Sequence, residues 1–457
     1  MIKNMSNYFY METYGCQMNK AESRALAGEL TNIGYQEIDQ PEQAAWVILN
    51  TCSVRKTAED KVLGRLGYFK AMKKKHPIKV AVMGCMGERI KEMLAKVFEV
   101  DAIIGNFNKK LFVERVKEDL KSAPGIPLRA TQYPLKPAPN PQKAIVTYGI
   151  LAEQYDFFSY HHPVSKSHAF VPIMHGCNHF CTFCIVPYVR GREISRDPDD
   201  IVQELQKHVD NGIKEITLLG QNVNSYHHQK TDFTALLSKI SQELQGHVWL
   251  RFLSSHPKDL DPALLDILDA DPRFCRHLHL ALQHSSNRLL AEMNRGHTKE
   301  DFLALVHTMR EKWPGMALST DLMIGFPSET DEEFEELLEF LHIVQFDDAY
   351  TYQYNDREGT PASRRTDKVP EEVKTRRIQK MIEVQRAITQ EKLSKRIGAE
   401  TVVLAESAAK TQAGHLLGRN EQNENIIFPA SADVIGQFVK VRIVDMKGQT
   451  LLAEALV

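Results

Sequence analysis

Cys177, Cys181 and Cys184, in "HGCNHFCTFCIVPYVRGRE", place three thiols in one short stretch and supply no fourth. A closed structural zinc site takes four protein ligands. Soft thiolates at C-x3-C-x2-C spacing favour an iron-sulfur cluster, and three ligands for four irons leave one iron open to a chelating small molecule. The alternative is a zinc site completed by His175 or His179, which lacks the usual paired spacing. Cys16, Cys52 and Cys85 are far apart along the chain, yet each stands just beyond an apolar strand candidate: "YFYMETYGC", "WVILNTCSV" and "KVAVMGCMG". Taken singly they read as ordinary buried thiols. In a parallel open sheet, however, the carboxyl ends of the strands share one edge, where ligands collect. Cys275, in "DPRFCRHLHL", has no such setting and reads as a core or surface thiol.

The elements that must position these thiols fall into three regions. A chain of 457 residues predicts two to three domains, and a net charge of -2 gives no global attraction to nucleic acid. The opening "MIKNMSNYFYMETYGC" shows no apolar signal segment, and no apolar run is long enough to span a bilayer, so a cytoplasmic, non-membrane protein is expected. There thiols stay reduced, and an odd count of seven cysteines suits ligands rather than disulfides.

The first region alternates short apolar runs with periodic charged segments such as "KAESRALAGELTNIG", a βαβ rhythm that predicts a parallel-sheet α/β domain. From about Lys121 to Ser167 the proline-rich "SAPGIPLRATQYPLKPAPNPQ" reads as a linker, with His161 and His162 as solvated linker histidines. Six strand-like runs then recur between helices: "AFVPIMHGC", "EITLLGQNV", "VWLRFLSSHP", "HLHLALQHSS", "MALSTDLMIGFP" and "DAYTYQYND". They predict a partial (βα)6 barrel with its chemistry at the strand ends. The long helix after it puts Val373, Ile378, Ile382 and Ile388 near one face and its basic residues in solvent. Beyond Gly398 short β-branched runs predict a small antiparallel β-barrel, structural or RNA-binding; the second role asks Arg419, Lys440, Arg442 and Lys447 to share a face.

The C-x3-C-x2-C signature resembles that of the radical S-adenosylmethionine enzymes. "TYGCQMN", "NTCSVR" and "GCMGER", with "LLGQNVNSY", "STDLMIGFPSET" and "LLGRN" further on, resemble in order the motifs of the methylthiotransferases, and the last region is similar to the RNA-binding TRAM module. The resemblance divides the chain into a methylthiotransferase amino-terminal domain at 8-124, a proline-rich linker at 125-162, a radical S-adenosylmethionine domain at 163-393 and a TRAM domain at 396-457.

It also implies two [4Fe-4S] clusters. Cys177, Cys181 and Cys184 would hold the one that binds and reductively cleaves S-adenosylmethionine; Cys16, Cys52 and Cys85 would hold an auxiliary cluster that carries or supplies sulfur. Gln221, Asn222, Gln283 and Ser285 follow strand candidates where related barrels contact the cofactor, and "IGFPSE" resembles the segment flanking its adenine; capping and turn duties are the alternative. Arg190 and Arg192 would meet a phosphate or carboxylate, or else lie on the surface. "QHSS" where family members often read "QSGS", and "YNDREGTPA" where they carry an S-x-R-x-G-T-P segment, depart from the pattern beside that pocket.

"NTCSVR" looks most like the branch that methylthiolates carbon 2 of an isopentenylated adenosine beside the tRNA anticodon. The other branches act on threonylcarbamoyl-adenosine in tRNA or on a ribosomal protein aspartate, and a non-catalytic iron-sulfur RNA-binding protein is an alternative of another class. The expected partners are a tRNA anticodon stem-loop, an electron donor protein and a sulfur source. The base would enter between the two clusters, splayed from a single-stranded loop. No side-chain acid or base is assigned.

Overall fold

A computed structural model describes residues 7-53, 56-121, 145-147 and 155-456. The chain divides into two compact units: Met1–Val164 with His175–Asn178 and Ile185–Ile194, and Ser165–Met174 with His179–Cys184 and Ser195–Val457.

The first unit is a parallel sheet with helices on both faces. Its elements run β1 (Tyr8–Thr13), α1 (Gln17–Asn32), β2 (Gln36–Glu37), β3 (Trp46–Thr51), α2 (Lys56–Met72), β4 (Lys79–Gly84), α3 (Cys85–Arg89), α4 (Lys91–Val97), β5 (Ala102–Ile104), α5 (Lys109–Lys121) and β6 (Ile145–Thr147), and the strand order is β2-β1-β3-β4-β5-β6. "WVILNT" is buried at every position, as a central strand covered on both faces must be. Trp46, Ile48 and Met83 face one core with Phe9 and Phe112, while Val47, Leu49 and Val82 face the other with Phe69.

Most of the proline-rich stretch lies outside the described residues, but β6 pairs in parallel with β5, and Phe158 is buried in the sheet's core. The two histidines are not a solvated pair. His161 is buried with its ring edge-on to Phe158, and the His162 ring fills the space over Gly28, where a Cβ would collide with it.

The second unit carries six parallel strands with helices between them: β7 (His168–Pro172), α7 (Pro198–Asp210), β10 (Glu215–Leu219), the hairpin β11 (His227–His228) and β12 (Thr231–Asp232), α8 (Phe233–Glu243), β13 (Trp249–Phe252), α9 (Leu264–Ala270), β14 (His277–His279), α10 (Asn287–Glu292), α11 (Lys299–Lys312), β15 (Ala317–Ile324), α12 (Asp331–Val344) and β16 (Asp348–Gln353); around the cysteine loop the short β8 (Met174–His175) and β9 (Ile194–Ser195) pass between the units, and α6 (Val186–Arg190) belongs to the first. Strands β7, β10 and β13 form one sheet and β14, β15 and β16 another, joined by bridges from Leu250 to Phe274 and from Ser255 to Leu280, so all six expected strands form in the expected order. Thr298 and Thr330 close capping boxes with Asp301 and Glu333, which fixes where α11 and α12 begin.

Helix α13 (Glu371–Ser394) turns only part of the expected aliphatic face, Ile388 and Ile378, onto the core. Lys374, Arg377, Met381, Gln385 and Ile388 are buried, and Val373, Ile378 and Ile382 are only partly covered. The buried polar positions have partners: Arg377 Nη1 donates to Glu329 Oε1 at 2.6 Å, and Gln385 Nε2 to the Phe346 carbonyl at 3.0 Å.

A closed barrel follows, of β17 (Glu400–Ala408), β18 (His415–Arg419), β19 (Asn425–Pro429), β20 (Phe438–Lys447) and β21 (Thr450–Ala455), antiparallel except where β19 meets β21. It is bolted to the first residues of two strands of the larger barrel. Arg251 Nε and Arg419 Nη2 each donate to Glu215 at 2.8 Å, Arg251 Nη2 donates to the Asn420 carbonyl at 2.6 Å, and Trp249 packs on Phe438. Burial pushes the Glu215 carboxyl up, but the two guanidinium groups outweigh it and hold it well below the ordinary carboxylate range. Arg419 is therefore a joint rather than a member of a basic face, and Lys440 and Arg442 both pair with Glu400. Among the described residues no helix is long and apolar enough to cross a membrane.

Candidate active site

Cys52 and Cys85 follow directly on β3 and β4, and Cys16 lies three residues past the end of β1, which puts all three at one edge of the sheet. The flanking glycines make this approach feasible. Gly15 and Gly84 have φ of +150° and +88°; a Cβ on Gly15 would lie 2.7 Å from Cys52 Cβ, and one on Gly84 would lie 2.3 Å from the Thr51 carbonyl. Two buried asparagines fasten the strand ends. Asn19 Nδ2 donates to Asn50 Oδ1 at 2.9 Å and to the Thr51 carbonyl at 3.1 Å; Asn50 Nδ2 returns to the Asn19 carbonyl at 2.8 Å and to Ser23 Oγ at 2.9 Å. Asn19 Oδ1 also accepts from the Cys16 backbone amide at 3.3 Å. The "TYGCQMN" and "NTC" motifs are thus scaffolding as much as ligands.

A hydrogen bond with Cys52, followed by the charge of Arg190, draws the Cys16 thiol down to about 6. Burial pushes Cys85 up, and Arg190 opposes it. Arg190 is no surface arginine. It is 2 % exposed and donates through Nη1 to Glu22 Oε1 at 2.9 Å. Lys109 Nζ lies 2.8 Å from the same oxygen. Burial raises the Glu22 carboxyl, but Arg190 and Lys109 outweigh it and keep Glu22 well below the carboxylate range. His175 stacks on Tyr155 with ring centroids 3.7 Å apart, and its Nδ1 lies 3.3 Å from Arg190 Nη1.

In the cysteine loop, Gly176 is left-handed at φ +83°, because a Cβ there would meet the Arg192 carbonyl at 2.0 Å. The Cys177 amide donates to the Gly191 carbonyl at 3.2 Å, and the Cys184 amide to the Cys181 carbonyl at 2.9 Å. Phe180 is left-handed at φ +51°; Asn294 Nδ2 holds the turn by donating to the carbonyls of His179 at 2.9 Å and Phe180 at 3.3 Å. Cys181 Sγ accepts from the buried Arg295 at 3.4 Å. Cys275 is buried with Trp249 and Leu404, where burial pushes its thiol up to about 12, so it is an inert core residue.

Each trio offers three soft donors and no fourth thiol, a set that fits a [4Fe-4S] cluster with one open iron better than a closed zinc site. Beside the loop, Asn222 Nδ2 donates to Asp259 Oδ2 at 2.5 Å and lies 3.0 Å from His179 Nε2; its Oδ1 accepts from the His256 amide at 3.1 Å. His179, Asp259 and His256 cluster there, but the His179 and His256 rings are stacked at 4.0 Å and 8°, so their in-plane lone pairs do not converge on one metal. Gln283 is left-handed at φ +76° and bridges Asp321 and Met323 through its backbone. The Ser285 hydroxyl is buried with no hydrogen-bond partner among the described residues, while Gln221 lies partly exposed beyond β10. In "IGFPSE", Glu329 accepts from Arg377 and from the Gly325 amide, and burial raises it to about 7 against the pull of Arg377.

Glu22, Lys109, Arg295 and Asp259 carry no motif signal of their own, being common residue types in unremarkable surroundings. Only the fold brings them to the thiols.

Family models match residues 171–341 (Radical SAM superfamily), 8–105 (Uncharacterized protein family UPF0004) and 395–456 (TRAM domain). A tRNA-2-methylthio-N(6)-dimethylallyladenosine synthase of Treponema denticola is 38% identical over 460 residues, covering 97% of this chain and 99% of that protein. One of Clostridium tetani is 40% identical over 451 residues, covering 96% and 94%. Among solved structures, the radical S-adenosylmethionine methyltransferase TsrM of Kitasatospora setae shares the fold at TM-score 0.59 and 14% identity, over 78% of this chain and 74% of that one. Near-complete mutual coverage at such identity, with the cysteine motifs in their structural places, makes this chain a member of the tRNA-2-methylthio-N(6)-dimethylallyladenosine synthase family of radical S-adenosylmethionine methylthiotransferases.

Proposed function

We propose that the chain adds a methylthio group to carbon 2 of N6-isopentenyladenosine next to the anticodon of tRNA. The observation that carries this is the kinship with synthases of that name along the whole chain. We assign one [4Fe-4S] cluster to Cys177, Cys181 and Cys184 and the auxiliary one to Cys16, Cys52 and Cys85. When bound, the clusters and S-adenosylmethionine supply hydrogen abstraction and a sulfur donor, chemistry that an unactivated aromatic C-H requires and acid-base groups cannot provide.

The side chains bind, orient and exclude water. Asn19 and Asn50 tie the start of α1, beside Cys16, to the end of β3, beside Cys52, which supports these two cysteines as parts of one ligand set with Cys85 at the end of the adjacent β4. Arg295 donates to Cys181 and damps its thiolate charge. The free hydroxyl of Ser285 supports a cofactor contact there. Asn222 acts by fixing His179 and Asp259 beside the loop, and Gln221 and Gln283 complete the assigned cofactor rim. The closing barrel grips the anticodon stem-loop. An electron donor protein and a sulfur source complete the system, in the cytoplasm. We propose domain limits of 8-124, 163-393 and 396-457, with the segment at 125-162 between the first two packing in part on the first unit's sheet.

The test is reconstituted enzyme with dithionite, S-adenosylmethionine, sulfide and an isopentenylated anticodon stem-loop RNA, followed by mass and by 5'-deoxyadenosine release. A methylthio gain on that RNA is expected. Modification only of threonylcarbamoyl RNA or of ribosomal protein would move the chain to another branch, and no 5'-deoxyadenosine from fully loaded protein would remove the enzymatic reading.

A further inference from the structure

Beyond the thiols, the most densely charged buried place in the first unit is the group of Glu22, Lys109 and Arg190, whose side chains are 1 %, 4 % and 3 % exposed. One carboxylate faces two cations. The guanidinium keeps its proton under any ordinary condition, and Lys109, though burial lowers its affinity for a proton, is held by Glu22 at 2.8 Å. His175, whose Nδ1 lies 3.3 Å from Arg190 Nη1, brings no carboxylate to the group. Its Nε2 has no hydrogen-bond partner among the described residues, so no anion is supplied from that side.

A buried charge left uncompensated is costly, so an excess cation in such a place calls for an anion nearby. The thiols supply it. Cys85 packs against Ile185 and Val189, the second of which adjoins Arg190 on the same short helix, and its thiol is a hydrogen-bond partner of Arg190. A [4Fe-4S] core of charge +2 with three thiolates carries a net -1, which the single excess positive charge of the three residues offsets.

We infer that Glu22, Lys109 and Arg190 form a charge-matched seat for the auxiliary cluster, in which the two cations raise its reduction potential and the carboxylate limits that rise. The inference rests on the assignment of Cys16, Cys52 and Cys85 as ligands. Adding an electron makes the cluster more negative; a neighbouring cation favours that state and a neighbouring carboxylate disfavours it. These are positioning and tuning residues, since none is assigned a contact with substrate. The partition of charge also explains why Glu22 is tied to both cations instead of one. It holds them in place while leaving one positive charge for the thiolates.

The test uses the full-length chain with Cys177, Cys181 and Cys184 changed to alanine, so that the remaining cluster is the auxiliary one, and follows its potential by redox titration with electron paramagnetic resonance. Lys109→Met should shift the midpoint to lower potential and Glu22→Gln to higher potential, while Lys109→Arg leaves it near the parent value. Shifts of the same sign, or none, overturn the inference. If Lys109→Met loses the cluster, Lys109→Arg must retain it; loss in both makes Lys109 a packing residue and also overturns the inference. A parent that holds no cluster at all sinks the ligand assignment together with the inference. A well-formed cluster whose potential ignores both charge changes sinks the inference alone.

Discussion

The two cysteine trios reach the same donor set by opposite routes. Cys177, Cys181 and Cys184 are held by one loop, whose shape is set by left-handed Gly176 and Phe180 and by the Asn294 and Arg295 side chains. Cys16, Cys52 and Cys85 come from three strand ends, and what holds them together is a sheet, two close-approach glycines and the reciprocal bonds of Asn19 and Asn50. Local spacing brings the first trio together and two distant side chains brace it, whereas the second exists only when a whole domain is folded. Buried carboxylates divide in a parallel way, by the number of cations they face. Glu22, facing two cations, stays charged, whereas Glu329, facing Arg377, is lifted by burial to about 7. A second cation decides whether burial or pairing wins.

The strongest test of this contrast is to remove each trio in turn. Alanine at Cys177, Cys181 and Cys184 should reduce 5'-deoxyadenosine release on the order of a thousandfold or more. Alanine at Cys16, Cys52 and Cys85 should spare that release and abolish only the methylthio product, with about half the iron retained in either variant. Equal loss of 5'-deoxyadenosine in both would erase the division between them.

Next in size is the response of the lone-cation carboxylate to pH. Because Glu329 binds its proton more tightly when folded, its contribution is greatest below about 4.5 and is lost as pH rises toward about 7. The change amounts to roughly 3 kcal/mol, and Glu329→Gln should flatten that part of a urea-denaturation profile measured against pH. An unchanged slope would remove the distinction from Glu22.

Asn50→Ala deletes two buried donor bonds of the strand-end clasp. It should cost about 2 kcal/mol in stability and lower iron retention at the first trio while leaving the loop cluster's spectrum intact. Arg295→Met, acting on the loop trio alone, should slow 5'-deoxyadenosine release by about tenfold with no change in the auxiliary signal. The smallest effect is expected at the thiol outside both trios: Cys275→Ala should leave iron content and product unchanged and cost about 1 kcal/mol by thermal unfolding.

The same contrast explains what could be read from the sequence. The loop trio is legible because its spacing is its geometry, and the six barrel strands because parallel strands covered on both faces must be continuously apolar. The distant trio is visible as three thiols in equivalent settings, but its supporting charges are not. Glu22 sits in a helix that looks solvent-facing, Lys109 opens another, and Arg190 follows the loop, so no local pattern relates them. Helix α13 misled in part, for a related reason: its inward face includes Lys374, Arg377 and Gln385, whose partners come from elsewhere in the fold. His161 looked solvated because proline-rich surroundings hide the burial of Phe158 beside it.

The joint between Glu215, Arg251 and Arg419 sets a yardstick for the substrate. It fastens the small closing barrel to the amino-terminal rim of the large one, while Asn222, His256 and Ser285 lie past the opposite rim. Arg251 and His256 are five residues apart along the chain and Glu215 and Asn222 seven, so the two places stand at most about 17 to 23 Å apart. A free nucleoside is too short to touch both ends at once, whereas a folded stem with its loop is long enough, so the nucleoside alone should bind far more weakly than the same base carried on its arm.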